Sequence, residues 1–570
     1  MKKIVSFLLS LTFVLGACDY LDFDETDNLN TKEGIYKYFD KTKKMLTNVY
    51  SYMPQDLGAV GGAMRDCGSD DAEFGNLSAA VQGFTSDIWS PIKPLDTAWN
   101  LYKGIRAANS FIVEIEKVDF SRFANNGNYD NWMKQLAYFP YEARLLRAFY
   151  FFELCKRYGD IPLPLQVLTT AEANSISKTP FAKVIQFIVD ECDVCMAEDH
   201  LPMSYNAEPG KEIGRVTKPF AMALKSKALL YAASKLHNPT MDVELWKKSA
   251  QAAYDLITLE GHPFQLDAQN ANNLSSKEVI LFRMNPADAS FEQRNFPVRF
   301  VNGTRSKSQL ANCVFPSQNL VEAFQTVKGY EVRLGENGWE SDDPDFDPQH
   351  PYANRDPRLA KTVLVNGVSF KKQVIETFVG GKDAQPVAEG GTPTGYYLRK
   401  YIQENTSFDT DNRVTEKHHW IIYRYAETLL TYAESMVEAF DNPDYTDASL
   451  AMSAREALNM VRRNASMPDV TVTGKEDFLK AVRNEWRVEF AFEDHRFWDV
   501  RRWMIASETQ TKLYGVQIEK VKEEGTDVER LSFKKVLYKE RVWDDKKYLY
   551  PIPQSELYIN VNLNPQNAGW

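Results

Sequence analysis

The sequence predicts a mainly α protein: four tetratricopeptide-like helix pairs forming a superhelical scaffold, with a loop-rich insertion carrying the ligand face. Three observations predict it. Apolar residues recur at spacings of three and four over several long stretches. Small residues such as Ala228, Ala232, Ala250 and Ala253 occupy the sides on which those stretches would meet, which lets helices approach closely. Residues 265–415 break the pattern and hold 10 of the 28 glycines and 9 of the 26 prolines, a density of punctuation that belongs to loops.

Residues 1–17 read as an export signal, with Lys2 and Lys3 followed by an apolar stretch from Ile4 to Ala17. As a helix that stretch reaches about 21 Å, short of the roughly 30 Å of a hydrocarbon core. Leu15-Gly16-Ala17-Cys18 resembles a bacterial lipoprotein box, in which Cys18 is acylated and becomes the new N-terminus; several acyl chains give stable anchoring where one would not. Residues 18–32 are then a lipidated acidic tether, with Asp19, Asp22, Asp24, Glu25 and Asp27 close together.

The helix pairs follow at about 33–53 with 98–117, 134–157 with 177–199, 217–236 with 243–260, and 424–440 with 448–463. In the last pair Ala426, Leu429, Leu430, Ala433, Met436, Val437 and Phe440 fall on one face, opposite Leu450, Ala454, Ala457, Leu458 and Val461. The helical scaffold is therefore expected over 33–264 and 416–504, the ligand-binding subdomain over 265–415, and a C-terminal segment packed on the scaffold over 505–570. Residues 64–96 are a second interruption. A long irregular segment held by a fixed scaffold is where a binding surface is expected.

With 67 Lys and Arg against 78 Asp and Glu, the net charge of −11 argues against a nucleic-acid binder. Beyond Cys18, the thiols of Cys67, Cys155, Cys192, Cys195 and Cys313 are odd in number, so they make no complete disulfide framework; the Cys192/Cys195 pair lies in a helical pattern and reads as buried. No metalloprotease, serine-hydrolase or nucleotide-binding motif is present. Glu485, Glu489 and Glu493 recur every four residues, the raw material of a glycosidase acid and base, but Arg483, Arg487, Arg496, Arg501 and Arg502 in the same turns would hold them ionised. A structural ion-pair helix is the expectation, and no catalytic residue is assigned.

Sugar rings stack on exposed indoles. Trp99, Trp246, Trp486, Trp498 and Trp503 lie within helical patterns, whereas Trp89 and Trp339 lie in polar, punctuated loops and are the expected stacking platforms. Arg65, Asp70 and Asp71 near Trp89, and Phe291, Arg294 and Phe296 with Trp339, complete the expected ligand-binding set, since charged groups make paired hydrogen bonds to vicinal hydroxyls. The segment 342–347, DDPDFD, offers oxygen ligands for calcium but lacks EF-hand spacing, so no cofactor or metal is assigned.

Nearly end to end, the chain resembles the SusD/RagB family of Bacteroidetes outer-membrane glycan-binding lipoproteins. The resemblance is carried by LGACDYLD at 15–22, EARLLRAFYFFELCKRYGDIPL at 142–163, RVTKPFAMALKSKALLYAAS at 215–234 and DPQHPYANRDPRL at 347–359. TGYYLRKYI at 394–402, RYAETLLTYAES at 424–435, the 481–503 helix and YLYPIPQSELYINVNLNPQNAGW at the C-terminus continue it. It implies a non-catalytic cell-surface lipoprotein that binds a polysaccharide or its oligosaccharides and delivers them to a partner TonB-dependent transporter (SusC-like), over which it lies as a lid. It also implies that the acidic leader directs the protein to the outer face of the outer membrane. Arg355, Asp356, Arg358, Arg496, Asp499 and Arg502 are then fold-defining. The alternatives are a peptide-binding lid of the same family, with no exposed aromatic platform, or a surface glycoside hydrolase.

Overall fold

A computed structural model describes residues 31–570 apart from 97, 209, 269–272, 302–310 and 523–527. The export signal, Cys18 and nearly all of the acidic tether lie outside the described residues.

The principal helices are α1 (Phe39–Tyr50), α2 (Leu101–Ile115), α3 (Tyr129–Tyr158), α4 (Phe181–Met196), α5 (Lys218–Ala233) and α6 (Val243–Ile257). After a short α7 (Ser290–Asn295) come α8 (Tyr425–Phe440), α9 (Ala454–Asn464), α10 (Lys475–Glu489) and α11 (Arg496–Arg502). The fold is mainly helical. Both members of each predicted pair are in contact, and the pairs also join into one succession, α1 to α6 in order and then α6 to α8.

The sequence explains these elements locally. Thr217 caps α5 through a hydrogen bond from the Phe220 amide, and Pro219 occupies the first turn, where its missing N–H costs nothing. Ala228 of α5 and Ala250 and Ala253 of α6 are fully buried, as close helix approach requires. The 30-residue α3 starts earlier than its apolar pattern and ends at Gly159, whose φ of +71° a side chain would rarely adopt.

Short two-stranded ladders fill the interruptions. Strand β1 (Ala72–Phe74) pairs antiparallel with β3 (Val314–Pro316), and β2 (Val279–Arg283) with β4 (Trp420–Arg424). The first ladder ties the 64–96 interruption to the 265–415 insertion. His418 and His419 lead into β4, and His418 Nε2 lies 2.8 Å from Glu292 Oε1. The C-terminal region holds a long hairpin, β5 (Lys512–Lys522) with β6 (Glu529–Glu540).

Candidate ligand-binding site

Both expected stacking platforms are core residues. Trp89 is 3% exposed and Trp339 is 4% exposed. Edge-on contacts surround Trp89 with Phe84, Tyr550 and Trp570 at ring-centroid distances of 4.9, 4.8 and 5.0 Å. The C-terminal residues that bury it are invisible to a reading of the loop alone. Trp339 packs on Tyr352 at 5.7 Å and lies under the Arg355 guanidinium. Phe291 is buried against Tyr401 and His418, and Phe296 against Phe370 and Phe408. None of these four rings presents a face to solvent on which a sugar could stack.

The charged residues near Trp89 are buried as well. Asp70 binds Arg496 at 2.8 and 2.9 Å, Arg487 at 2.9 Å and Gln510 at 2.8 Å; Arg487 also reaches Asp71 at 2.7 Å. Burial alone would raise the Asp70 carboxyl, but Arg487 and Arg496 hold it well below the ordinary carboxylate range. Arg65 is ringed by Asp56, Asp96 and Asp494, the last at 2.6 Å. These groups tie the interruption to α10 and α11; they are not solvated loop charges available to a ligand.

The acidic run forms an ion-pair lattice, but not on one helix: α10 ends at Glu489, and Glu493 lies in the turn that separates it from α11, so the expected 481–503 helix is two helices. Glu489 lies 2.7 Å from Arg358 and 2.6 Å from Arg424, Glu485 bridges Arg358 and Arg462, and Glu493 meets Arg424 at 2.9 Å. Burial pushes Glu489 up, yet Arg424 and Arg358 outweigh it and bring it down to about 2, the opposite of what a general acid needs. Arg355 donates to the carbonyls of Val321, Phe324 and Pro351, and Arg502 binds Glu434 and Asp499. In the 342–347 segment Asp343 and Asp345 both pair with Lys328, and Asp347 with His350.

Of the eight expected ligand-binding residues, Arg294 alone is half-buried rather than buried. Burial lowers its pKa. It lies on α7 against the glycine-rich turn 57–62: a Cβ on Gly58 would fall 3.1 Å from Arg294 Nη2 and 3.0 Å from the Gly62 carbonyl, and Gly58 has a φ of +89°. Only glycine meets both conditions. Half-buried amides flank these segments in the chain: Asn285 donates to Gln55, just ahead of Gly58, at 3.0 Å, and Asn76 to Asn312 at 2.9 Å. The Gly75 amide bonds the Cys313 carbonyl, and the Val314 amide bonds Asn295 Oδ1, so the Asn76 turn is fastened to α7. A guanidinium donates, and side-chain amides both donate and accept, so together they can hydrogen-bond hydroxyl or peptide groups. The missed signal was the Gly58, Gly61, Gly62 cluster, just ahead of the 64–96 loop.

The SusD family model matches residues 277–570, more than half of the chain, including Asn285, Arg294 and Asn312. The chain belongs to the SusD family. This SusD-family protein is 23% identical over 446 residues to SusD-like protein P2 of Formosa agariphila, covering 75% of this chain and 73% of that one. Among solved structures, a SusD-like protein of Bacteroides fragilis superposes with a TM-score of 0.75 at 24% identity, over 95% of this chain and 99% of that one. A SusD-like carbohydrate binding protein of the same species gives 0.71 at 25% identity, over 93% and 100%. A laminarin binding SusD-like protein gives 0.57 at 19%, over 93% and 99%, and so shares the fold.

Proposed function

We propose that this SusD-family protein is a cell-surface lipoprotein that binds a polysaccharide or its oligosaccharides on the face around Arg294 and delivers them to a partner TonB-dependent transporter, for which it serves as a lid. The observation that carries the reading is the family match over residues 277–570; the relative described as carbohydrate binding supports it. On this reading Cys18 holds the acyl chains, the tetratricopeptide-like scaffold supports the body, and the 265–415 insertion with the 57–62 and 76–80 turns forms the ligand surface. Among the described residues no helix is long and apolar enough to cross a membrane.

Gln55, Asn76, Asn285 and Asn312, with Arg294, supply the paired donors and acceptors that vicinal hydroxyls require. One observation favours the peptide-binding alternative: Trp89 and Trp339 are buried, so neither offers a stacking platform. Side-chain amides read peptide groups as well as hydroxyls.

The test is calorimetry of the full chain against polysaccharides, their oligosaccharides and peptides, with reducing ends assayed in parallel. Saturable binding to a glycan without reducing-end release, weakened about tenfold by Arg294→Ala with an unchanged Tm, is expected. Saturable binding to peptides alone transfers the site to the alternative; released reducing ends make the protein a hydrolase; silence toward every glycan overturns the reading.

A further inference from the structure

Next to the proposed face lies an open cavity of about 680 Å³, between α1, the 210–215 turn and the end of β2. Leu46, Met53 and Phe282 give it apolar walls, and Lys43, Lys211, Arg215 and Arg283 line it against the single carboxylate of Glu212. Two of the four cations are matched. Lys43 pairs with Glu212, and Arg215 binds Glu142 at 2.9 Å and Glu212 at 3.0 Å. Arg283 instead donates to the Met53 carbonyl, and among the described residues no carboxylate pairs with it or with Lys211.

A half-buried guanidinium without a counter-charge is held at a cost that an incoming anion would offset. Burial lowers the Arg283 pKa, as that position requires. The cavity and the face are also continuous in the chain. Met53 lines one and Gln55 the other, while Arg283 and Met284 line the cavity and Asn285 the face. In a chain of net charge −11, a basin with two uncompensated cations stands out as selective for negative charge.

We propose that this cavity receives the carboxylate or sulfate group of an acidic sugar residue, with Arg283 as its direct partner and Lys211 at the rim, so that the glycan bound on the adjoining face is anionic. The inference rests on the glycan-binding reading above and narrows it. A guanidinium fork matches the paired oxygens of either group, and the apolar walls take the ring's C–H faces.

Calorimetry of the full chain compares three probes of equal length: a neutral galactan oligosaccharide, an oligogalacturonate and a sulfated galactan oligosaccharide. One acidic probe is expected to bind at least tenfold more tightly than the neutral one, with the advantage shrinking as salt rises; which probe wins separates carboxylate from sulfate. Arg283→Gln, and independently Lys211→Glu on the exposed rim, are expected to remove the advantage and leave neutral binding intact. Equal affinity for neutral and acidic probes, or an advantage that survives both substitutions, overturns the cavity assignment while the glycan-binding reading stands. Silence toward all three probes overturns the anionic assignment, and the wider glycan panel then decides the reading beneath it.

Discussion

Asp70 accepts the Nε and Nη2 hydrogen bonds of Arg496 at 2.8 and 2.9 Å, joining positions 426 residues apart. Both side chains are buried. Asp70→Ala strands Arg496 and is expected to cost about 3 to 5 kcal/mol. Arg496→Ala should cost less, because Asp70 keeps Arg487 and Gln510. In chemical denaturation the double variant should fall short of the sum of the singles by at least about 1 kcal/mol. Additive losses would show that the pair does not couple the two regions.

Acid should loosen the lattice in a defined window. Glu489 has a folded pKa of about 2 against an ordinary 4.5, because Arg424 and Arg358 overcome the effect of burial. A folded pKa below the unfolded one gives stability that is fully present above about pH 4.5 and is lost as pH falls through about 2. Glu427, held at about 2 by Lys227 and His495, acts in the same direction. Thermal melts should show Tm dropping across that range, and Glu489→Gln, less stable at neutral pH, should drop less steeply. An equal slope in the variant would remove Glu489 from the acid response.

Trp89→Ala opens the cluster of Phe84, Tyr550 and Trp570 and is expected to destabilise by about 3 to 5 kcal/mol. Glycan affinity of the folded fraction should be unchanged. A variant with native Tm and lost binding would return Trp89 to the ligand surface.

Cys18→Ala should abolish acylation and release folded protein from the membrane fraction, since the apolar stretch before it is too short to span a bilayer. Fractionation with the outer membrane unchanged by that substitution would refute the lipid assignment.

Helices were legible because burial imposes a spacing on the sequence, and a face such as Leu429, Leu430, Ala433, Met436 and Val437 needs no knowledge of its partner. Cys192 and Cys195, read as buried, are buried, and so are Cys67, Cys155 and Cys313. The arginines expected to define the fold are bound to buried carboxylates and carbonyls. The expected exposure of Trp89 and Trp339 failed for a physical reason. Polar, punctuated surroundings predict where the chain turns, but not whether an indole within the turn points outward or is covered by residues such as Tyr550 and Trp570.

The sequence by itself determined the helical class, the interruptions and the ion-pair character of the 481–503 segment, because each is written in local spacing or composition. Only the tertiary structure decided that Trp89, Trp339, Asp70 and Asp71 are interior, that Arg294 lies against the Gly58 turn, and that Arg283 lines a cationic cavity. Those outcomes depend on contacts between distant segments, and burial and charge compensation are properties of neighbours in space rather than neighbours in sequence.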